Sequence, residues 1–228
     1  LVSAACDYAE RFRTWTKARM MIVGNGRGLV RAEKLRMDRS GSTFELVIGE
    51  AEPVEVKLPV VGRHMVANAL LAAGAGHALG MTKEEIARGL NKTELTSGRL
   101  RTFDADGVTI FDDTYNANPE SMLAAIETLA EMKVSEGGER YVVLGRMAEQ
   151  GIHAEPGHRK IGGLAAERGI CVLSVGEGAL AISEGAAVQG GEANHFNTIG
   201  SAADWLRARC VSGDAVLFKG SRAAAIER

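Results

Sequence analysis

Short apolar runs and helical patterns alternate regularly through the second half of the chain, and this alternation constrains the fold most. Apolar, β-branched runs predict buried strands at 108–111, 141–144, 171–175 and 215–218, with a shorter strand near His195. Apolar residues at helical spacing predict the intervening helices at 119–132, 158–168, 179–187 and 201–209. Because such alternation builds a mostly parallel sheet with helices on both faces, we predict an α/β, Rossmann-like domain.

Polar segments follow four of these predicted strands. They are 112–118, 145–147, 176–178 and 219–222. The carboxyl ends of parallel strands lie along one edge of a sheet, and open α/β sheets bind their ligands at that edge. We therefore expect the four segments to meet at one binding site.

The segment 112–118 reads Asp-Asp-Thr-Tyr-Asn-Ala-Asn and is followed by Pro119. Asn118 suits the N-cap of the next helix, and Pro119 suits its first turn. A capping loop accounts for these two residues but leaves both aspartates and Asn116 unexplained. We therefore favour a ligand site over a plain polar loop.

Cationic side chains occur in two further segments, one after the last predicted strand and one in a linker. Lys219, Ser221 and Arg222 place two cations and a hydroxyl around one glycine, which suits a carboxylate or a phosphoryl group. A solvated turn is an equally good interpretation of this segment alone.

Arg99 follows an aperiodic stretch at 93–98 that is typical of a linker. A guanidinium there could bind a phosphate held between two domains, although a surface arginine in a linker is more common.

The first part of the chain indicates a β-rich unit that ends in two helices. Turn residues at 38–42 and alternating apolar residues nearby predict strands, and helices are predicted from His64 to Leu79 and after a Thr82 cap. His64 and Asn68 lie one helical turn apart and share a face. An asparagine is a good partner for the edge of adenine, but capping and surface roles are more common for such a pair.

Composition disfavours several classes of protein. A net charge of −2 without a basic stripe argues against nucleic-acid binding, and no apolar run is long enough to span a bilayer. Three cysteines without CxxC spacing fit a reducing, cytoplasmic setting. His153, Glu155 and His158 lack a convincing further ligand, so we predict a mobile loop there and no metal site.

Two absent motifs also limit the function. The sequence contains no GxxxxGK[ST], so the phosphate loop of any ATP site is not on this chain. No glycine fingerprint follows a predicted strand, which disfavours an oxidoreductase with a nucleotide cofactor. The chain starts with Leu1 rather than Met, and we expect it to be a piece of a longer protein.

Taken together, five motifs resemble the Mur ligase family in their order and spacing. They are Gly62-Arg63-His64 with Asn68, Ser97-Gly98-Arg99-Leu100, the run from Asp112 to Asn118, the run from Val143 to Glu149, and Lys219-Gly220-Ser221-Arg222. The aspartate run is the most specific and is similar to the branch that adds D-alanyl-D-alanine to UDP-N-acetylmuramoyl-tripeptide. Two positions depart from the family pattern, since Arg146 stands where an Asp is usual and Met65 where an Asn is common.

The resemblance implies an ATP-dependent amide ligase of peptidoglycan synthesis that works through an acyl phosphate. Residues 1–96 would form part of the central, ATP-binding domain, and 97–228 the C-terminal Rossmann-like domain. ATP and Mg²⁺ would be cofactors of the intact enzyme, UDP-N-acetylmuramoyl-tripeptide and D-alanyl-D-alanine its substrates, and the protein a cytoplasmic monomer. This chain alone would be inactive. The alternatives are another Mur ligase, a folylpolyglutamate synthetase relative, or a non-catalytic nucleotide- or peptide-binding module.

The resemblance also implies roles for individual residues. The set that contacts the nucleotide would be His64, Asn68, Arg99 and Asp113, with the first two near the base and the others near phosphate or ribose. The set that acts on the substrates would be Asn116, Lys219, Ser221 and Arg222, with the last three holding the dipeptide or the peptidyl carboxylate.

Overall fold

The protein divides into two compact units, Leu1–Glu94 and Leu95–Arg228. This computed structural model describes residues 1–94 and 96–227, except for the side chain of Asn25. The division lies close to the boundary that the sequence suggests between residues 96 and 97. Within the described parts of the chain, no helix is long and apolar enough to cross a membrane.

The first unit contains a five-stranded sheet in the order β1-β2-β3-β4-β5. The strands are β1 (Val2–Ser3), β2 (Ile22–Asn25), β3 (Val30–Asp38), β4 (Gly41–Ile48) and β5 (Val54–Leu58). The predicted turn joins β3 to β4, where Asp38 pairs with Gly41 and its carboxylate accepts a hydrogen bond from the Ser40 N–H. The β-rich character predicted for this part of the chain is therefore confirmed.

Among the described residues of this unit, three α-helices accompany the sheet. They are α1 (Ala9–Trp15), α2 (Arg63–Ala78) and α3 (Lys83–Asn91). Helix α1 was not predicted, and none of its residues is buried. The capping box that the sequence predicts before α3 is present, because Thr82 and Glu85 bond each other's backbone N–H groups.

The second unit contains a six-stranded sheet in the order β10-β9-β8-β11-β7-β6. The strands are β6 (Arg101–Ala105), β7 (Val108–Asp113), β8 (Arg140–Leu144), β9 (Cys171–Val175), β10 (Ala193–Phe196) and β11 (Ala215–Lys219). All pairs are parallel except β6 with β7. The predicted parallel α/β sheet is confirmed, and the antiparallel edge strand β6 is an addition that was not predicted.

Where the structure describes the second unit, four α-helices cover the two faces of its sheet. They are α4 (Pro119–Glu131), α5 (Ala154–Glu167), α6 (Leu180–Val188) and α7 (Ile199–Arg209). The crossovers with α4, α5 and α6 run in one direction along the sheet, whereas α7 returns from β10 to β11. Because such connections are right-handed, α7 lies on the opposite face from the other three helices.

The start of α5 differs from the prediction. The sequence suggests a mobile loop around His153 and His158, but a short 3₁₀ turn, Gly151–His153, leads directly into a helix that begins at Ala154. Pro156 and Gly157 favour a loop interpretation, yet both lie within the first turn or so of the helix. There a proline loses no intrahelical hydrogen bond, because the first N–H groups have no partner within the helix.

Helices α5 and α6 pack with unusually close backbones. A Cβ atom at Gly162 would lie 1.8 Å from the carbonyl oxygen of Ile182, and one at Gly185 would lie 2.0 Å from that of Arg159. On the opposite face, Leu206 of α7 packs in one buried cluster with Val143 of β8. The central strands are therefore covered on both sides, as a parallel sheet requires.

Candidate functional site

The strand order brings the predicted polar segments together at the carboxyl edge of the second sheet. β11 lies between β7 and β8, so Lys219 is in register with Asp113 on one side and with Leu144 on the other. Beyond the strands, the Gly145 N–H donates to the Lys219 carbonyl at 2.8 Å, and the Ser221 N–H donates to the Arg146 carbonyl at 3.0 Å.

The fourth segment joins them through Arg146. The Cδ atom of its side chain lies 3.4 Å from the position that a Cβ would take at Gly178. All four polar segments therefore meet along one edge, as the sequence predicts.

A buried ion pair links the ends of β7 and β11. The Lys219 ammonium donates to Oδ2 of Asp113 at 2.5 Å and to the carbonyl oxygen of Asn116 at 2.9 Å. Only 2% of the Lys219 side chain and 15% of the Asp113 side chain are exposed. Burial raises the pKa of the Asp113 carboxyl, while the charge of Lys219 and its hydrogen bond oppose that shift.

The two aspartates hold the backbone of residues 98–100, which we call the arginine turn. The Gly98 N–H donates to Oδ2 of Asp112 at 3.2 Å, and the Leu100 N–H donates to Oδ1 of Asp113 at 3.1 Å. In return, the Tyr115 N–H donates to the Gly98 carbonyl at 2.9 Å. The Ser-Gly-Arg-Leu and Asp-Asp-Thr-Tyr motifs are therefore two halves of one hydrogen-bonded structure.

Glycine is required at the first position of the arginine turn. Gly98 has a φ of +74°, and a Cβ there would lie 2.8 Å from the Tyr115 nitrogen. Both the conformation and the close approach therefore exclude a larger residue.

Arg99 lies exposed at the centre of the arginine turn. Its guanidinium carbon lies 4.1 Å from the centroid of the Tyr115 ring, within the range of a cation–π interaction. Tyr115 is itself 47% exposed, so this stacked pair is open to solvent on the second unit. A guanidinium presented in this way is suited to a phosphate or a carboxylate.

Ser221 and Arg222 follow β11 at the same edge. Ser221 is 1% exposed, and its hydroxyl is buried without a hydrogen-bond partner among the residues described. The Arg222 side chain is 76% exposed, with one oxygen of Glu227 at 3.9 Å. The chain forms only a 3₁₀ turn here, Arg222–Ala224, so an anion site based on a helix N-terminus is not available.

The two asparagines of the aspartate run have different surroundings. Asn118 caps α4, since its Oδ1 accepts from the Ser121 N–H at 2.8 Å and the Ser121 hydroxyl accepts from the Asn118 N–H at 3.1 Å. Asn116 is exposed and offers its carbonyl oxygen to Lys219. The capping interpretation therefore accounts for Asn118, whereas Asn116 is left exposed at this edge.

The predicted base-contacting residues lie in the first unit. His64 is half-buried and Asn68 is exposed, both in the first half of α2. Their spacing places them on one face of that helix. They are thus on a different unit from Arg99 and Asp113.

His158 has a structural role that the sequence did not suggest. It is 2% exposed, and its Nε2 accepts from the Met147 N–H at 2.7 Å. Burial lowers the pKa of His158, and the nearby charge of Arg146 adds to the shift. Since Nε2 must stay unprotonated to accept this bond, a neutral His158 fixes the segment that carries Arg146.

No metal centre is apparent in the parts of the chain that the structure describes. There, no three or more His, Cys, Asp or Glu side chains are grouped so that they could hold an ion. His153 is exposed whereas His158 is buried and bonded to Met147, so these two histidines do not act together.

Comparison with known protein families decides the affiliation of the second unit. The family model described as "Mur ligase, glutamate ligase domain" matches residues 98–222, more than half of the chain. The chain belongs to the Mur ligase family. The matched range starts at the arginine turn and ends at Arg222, so it contains every element of the carboxyl edge of the second sheet.

Individual Mur ligases resemble a larger part of the chain. The UDP-N-acetylmuramoyl-tripeptide–D-alanyl-D-alanine ligase of Escherichia coli K12 is 40% identical over 200 residues, which are 86% of this chain and 42% of that protein. The enzyme of the same name from Bacillus subtilis 168 is 33% identical over 175 residues, 75% of this chain and 38% of that protein. A crystal structure of MurF from Acinetobacter baumannii superposes with a TM-score of 0.85 at 28% identity, covering 99% of this chain and 49% of that one. The chain thus spans about two fifths to half of the length of these relatives.

Proposed function

We propose that this chain is part of an ATP-dependent ligase that joins UDP-N-acetylmuramoyl-tripeptide to D-alanyl-D-alanine. The observation that carries the proposal is the Mur ligase match over residues 98–222, with the same named activity in relatives that are 33 to 40% identical. Residues 1–96 would belong to the ATP-binding domain and 97–228 to the C-terminal ligase domain. The reaction activates the peptide carboxylate as an acyl phosphate, and the amine of the dipeptide then displaces phosphate.

Arg99 is the residue that we assign to phosphate. Its guanidinium is exposed, stacked on Tyr115, and without a carboxylate partner among the described residues. A planar guanidinium that is already ordered can bind two phosphate oxygens at once and neutralise charge that develops during phosphoryl transfer. Its role would be to orient and neutralise the phosphoryl group.

Ser221 and Arg222 are assigned to a carboxylate of the peptide or dipeptide. The buried Ser221 hydroxyl lacks a partner in the described structure, and Arg222 supplies an exposed cation next to it. Asn116 is exposed at the same edge. On the first unit, His64 and Asn68 would contact the nucleotide base.

The residues on this chain fit ATP only in part. Arg99 suits a phosphate, but the sequence has no GxxxxGK[ST] loop and the described residues present no metal-binding group. We therefore assign no Mg²⁺ ligand to this chain. We also propose that the intact enzyme is cytoplasmic and monomeric. The three free cysteines support a reducing location.

A chimera tests the proposal. This chain would replace the matched residues of the Escherichia coli relative, and ADP release would be measured with each substrate withheld in turn. We expect release that requires both UDP-N-acetylmuramoyl-tripeptide and D-alanyl-D-alanine. We expect none from this chain alone. A folded chimera that releases no ADP with both substrates, or that works equally well without the dipeptide, would reject the assignment and favour a non-catalytic module or another ligase.

A further inference from the structure

The ion pair beneath the arginine turn carries a further inference, which rests on the proposed function. We propose that Lys219, Asp113 and Asp112 are positioning residues that hold the arginine turn and thereby present Arg99 to phosphate. Resemblance alone suggests instead that Lys219 holds a substrate carboxylate and that Asp113 contacts the nucleotide. The hydrogen bonds and burial of these residues support the positioning role.

Lys219 has almost no surface left for a ligand. Its side chain is 2% exposed, and its ammonium already donates to Asp113 and to the Asn116 carbonyl. A substrate carboxylate could reach the ammonium only by displacing a buried carboxylate that lies 2.5 Å away. The charge of Lys219 is therefore paired with Asp113 of the protein and is not open to a substrate carboxylate.

The oxygens of both aspartates are likewise committed to the protein. Asp113 accepts from Lys219 on one oxygen and from the Leu100 N–H on the other. Asp112 accepts from the Thr114 hydroxyl at 2.6 Å on one oxygen and from the Gly98 N–H on the other. Each carboxylate thus binds one end of the arginine turn.

The shape of the arginine turn explains why it needs such support. Leu100 has a φ of +54°, a left-handed conformation that a non-glycine residue rarely adopts, and its side chain is 2% exposed. Strained backbone of this kind persists only where surrounding bonds impose it. The aspartates supply those bonds, and the turn directs the Arg99 side chain onto Tyr115.

Lys219 therefore acts on Arg99 through Asp113. The ammonium keeps a buried carboxylate ionised and aimed at the Leu100 N–H, and that bond fixes the end of the turn. The consequence is an arginine that is ordered before its anion arrives, so that binding need not order it.

NMR spectroscopy of this chain, without ligand, tests the positioning role. The observables are the hydrogen-exchange protection of the Gly98 and Leu100 amides and the ring-current shift that Tyr115 induces in Arg99. Lys219→Met should reduce protection at Leu100 at least tenfold and shrink the ring-current shift. The neutral pair Asp113→Asn with Lys219→Met keeps an oxygen for the Leu100 N–H and should restore both. Arg168→Met is the control, because it breaks an ion pair of 2.6 Å with Glu127 away from the turn.

Two results would overturn the positioning role. One is a folded Lys219→Met variant with unchanged Leu100 protection and unchanged Arg99 shift. The other is a neutral double variant that is folded but as disordered at Arg99 as the single variant, because the effect would then not pass through Asp113. If the single variant does not fold, the double variant is compared with the wild type, and a folded double variant that has lost Leu100 protection and the Arg99 ring-current shift overturns the role of Asp113.

A titration with inorganic tripolyphosphate tests the phosphate assignment separately. We expect the Arg99 Nε–H resonance to shift on addition of the probe, with at least fivefold weaker binding in Lys219→Met and recovery in the double variant. If the substitutions change the protection of the turn as expected but tripolyphosphate does not shift the Arg99 resonance, Arg99 does not bind phosphate. The positioning role of the aspartates would still hold in that case.

Discussion

Breaking the buried ion pair should destabilise the second unit strongly. Lys219→Met removes the cation that lies 2.5 Å from Asp113 and leaves a mostly buried carboxylate with the Leu100 N–H as its remaining donor among those described. Removing one partner of a buried pair costs about 3–5 kcal/mol. For a unit of about 130 residues, an unfolding entropy of about 2.1 cal/mol/K per residue converts this loss into a fall in Tm of roughly 10–18 °C.

The assay is thermal and urea unfolding followed by the fluorescence of Trp205. This side chain lies in the second unit against Tyr141 and Phe196, and Trp15→Phe removes the signal from the first unit. The neutral double variant, Asp113→Asn with Lys219→Met, should regain most of the loss, because no buried charge then lacks a partner. Arg168→Met, which breaks the more exposed pair with Glu127, should cost no more than about 1 kcal/mol.

The pH dependence sharpens this prediction. Burial raises the folded-state pKa of Asp113 even beside Lys219, so protonation is easier in the folded than in the unfolded state. Without the opposing charge of Lys219, burial should raise the pKa of Asp113 further. The cost of Lys219→Met should therefore be full at pH 7 and shrink as the pH falls through the raised pKa. If the free energy of unfolding of Lys219→Met at pH 7 lies within about 1 kcal/mol of the wild-type value, as for the Arg168 control, the buried pair does not stabilise the second unit more than an exposed pair does.

Three further predictions concern other parts of the second unit. Gly162→Ala should destabilise it by about 1–3 kcal/mol or more in urea unfolding, because its Cβ would meet the Ile182 carbonyl. Gly157→Ala in the same helix is the control: the nearest atom to its Cβ would lie at 3.7 Å, so this change should be neutral or stabilising. Equal effects of the two changes would contradict the close packing of α5 and α6. Asn118→Ala should cost about 1 kcal/mol in the same assay through loss of the α4 cap, and no loss would refute the cap. Burial lowers the pKa of His158, so the free energy of unfolding should fall as the pH drops below about 6.5. Unfolding curves at pH 7.5 and 5.5 should show a smaller difference in His158→Gln than in the wild type. An unchanged difference would rule out His158 as the source of the pH dependence.

The parallel core of the second unit could be predicted because its strands carry an unambiguous signal. All five residues of β9 are buried, and most of them are apolar. The bounds of β9 match the prediction at 171–175. β6 escaped prediction because four of its five residues are exposed and it lacks a continuous apolar pattern. The Asp106-Gly107 pair, with φ of +53° and +83°, was the available signal, since this dipeptide favours a two-residue hairpin turn.

The candidate site could be predicted only at the level of which segments meet. The rule for parallel sheets places Asp113 and Lys219 on one edge, and the structure has them there. The sequence does not show that β11 inserts between β7 and β8, which is what brings the ammonium onto the carboxylate. Nor does it show that both aspartates turn back to the Gly98 and Leu100 amides, because those partners depend on the pairing of β6 with β7.

The rate of ADP release by the Arg99→Ala chimera shows whether Arg99 acts on the phosphoryl group during the reaction. If Arg99 neutralises a phosphoryl group during the reaction, the rate with both substrates should fall about 100-fold or more, while Arg168→Ala in the same chimera should leave it unchanged. A folded Arg99→Ala chimera that keeps its rate within about threefold of the parent would show that the ordered arginine at the carboxyl edge takes no part in the chemistry.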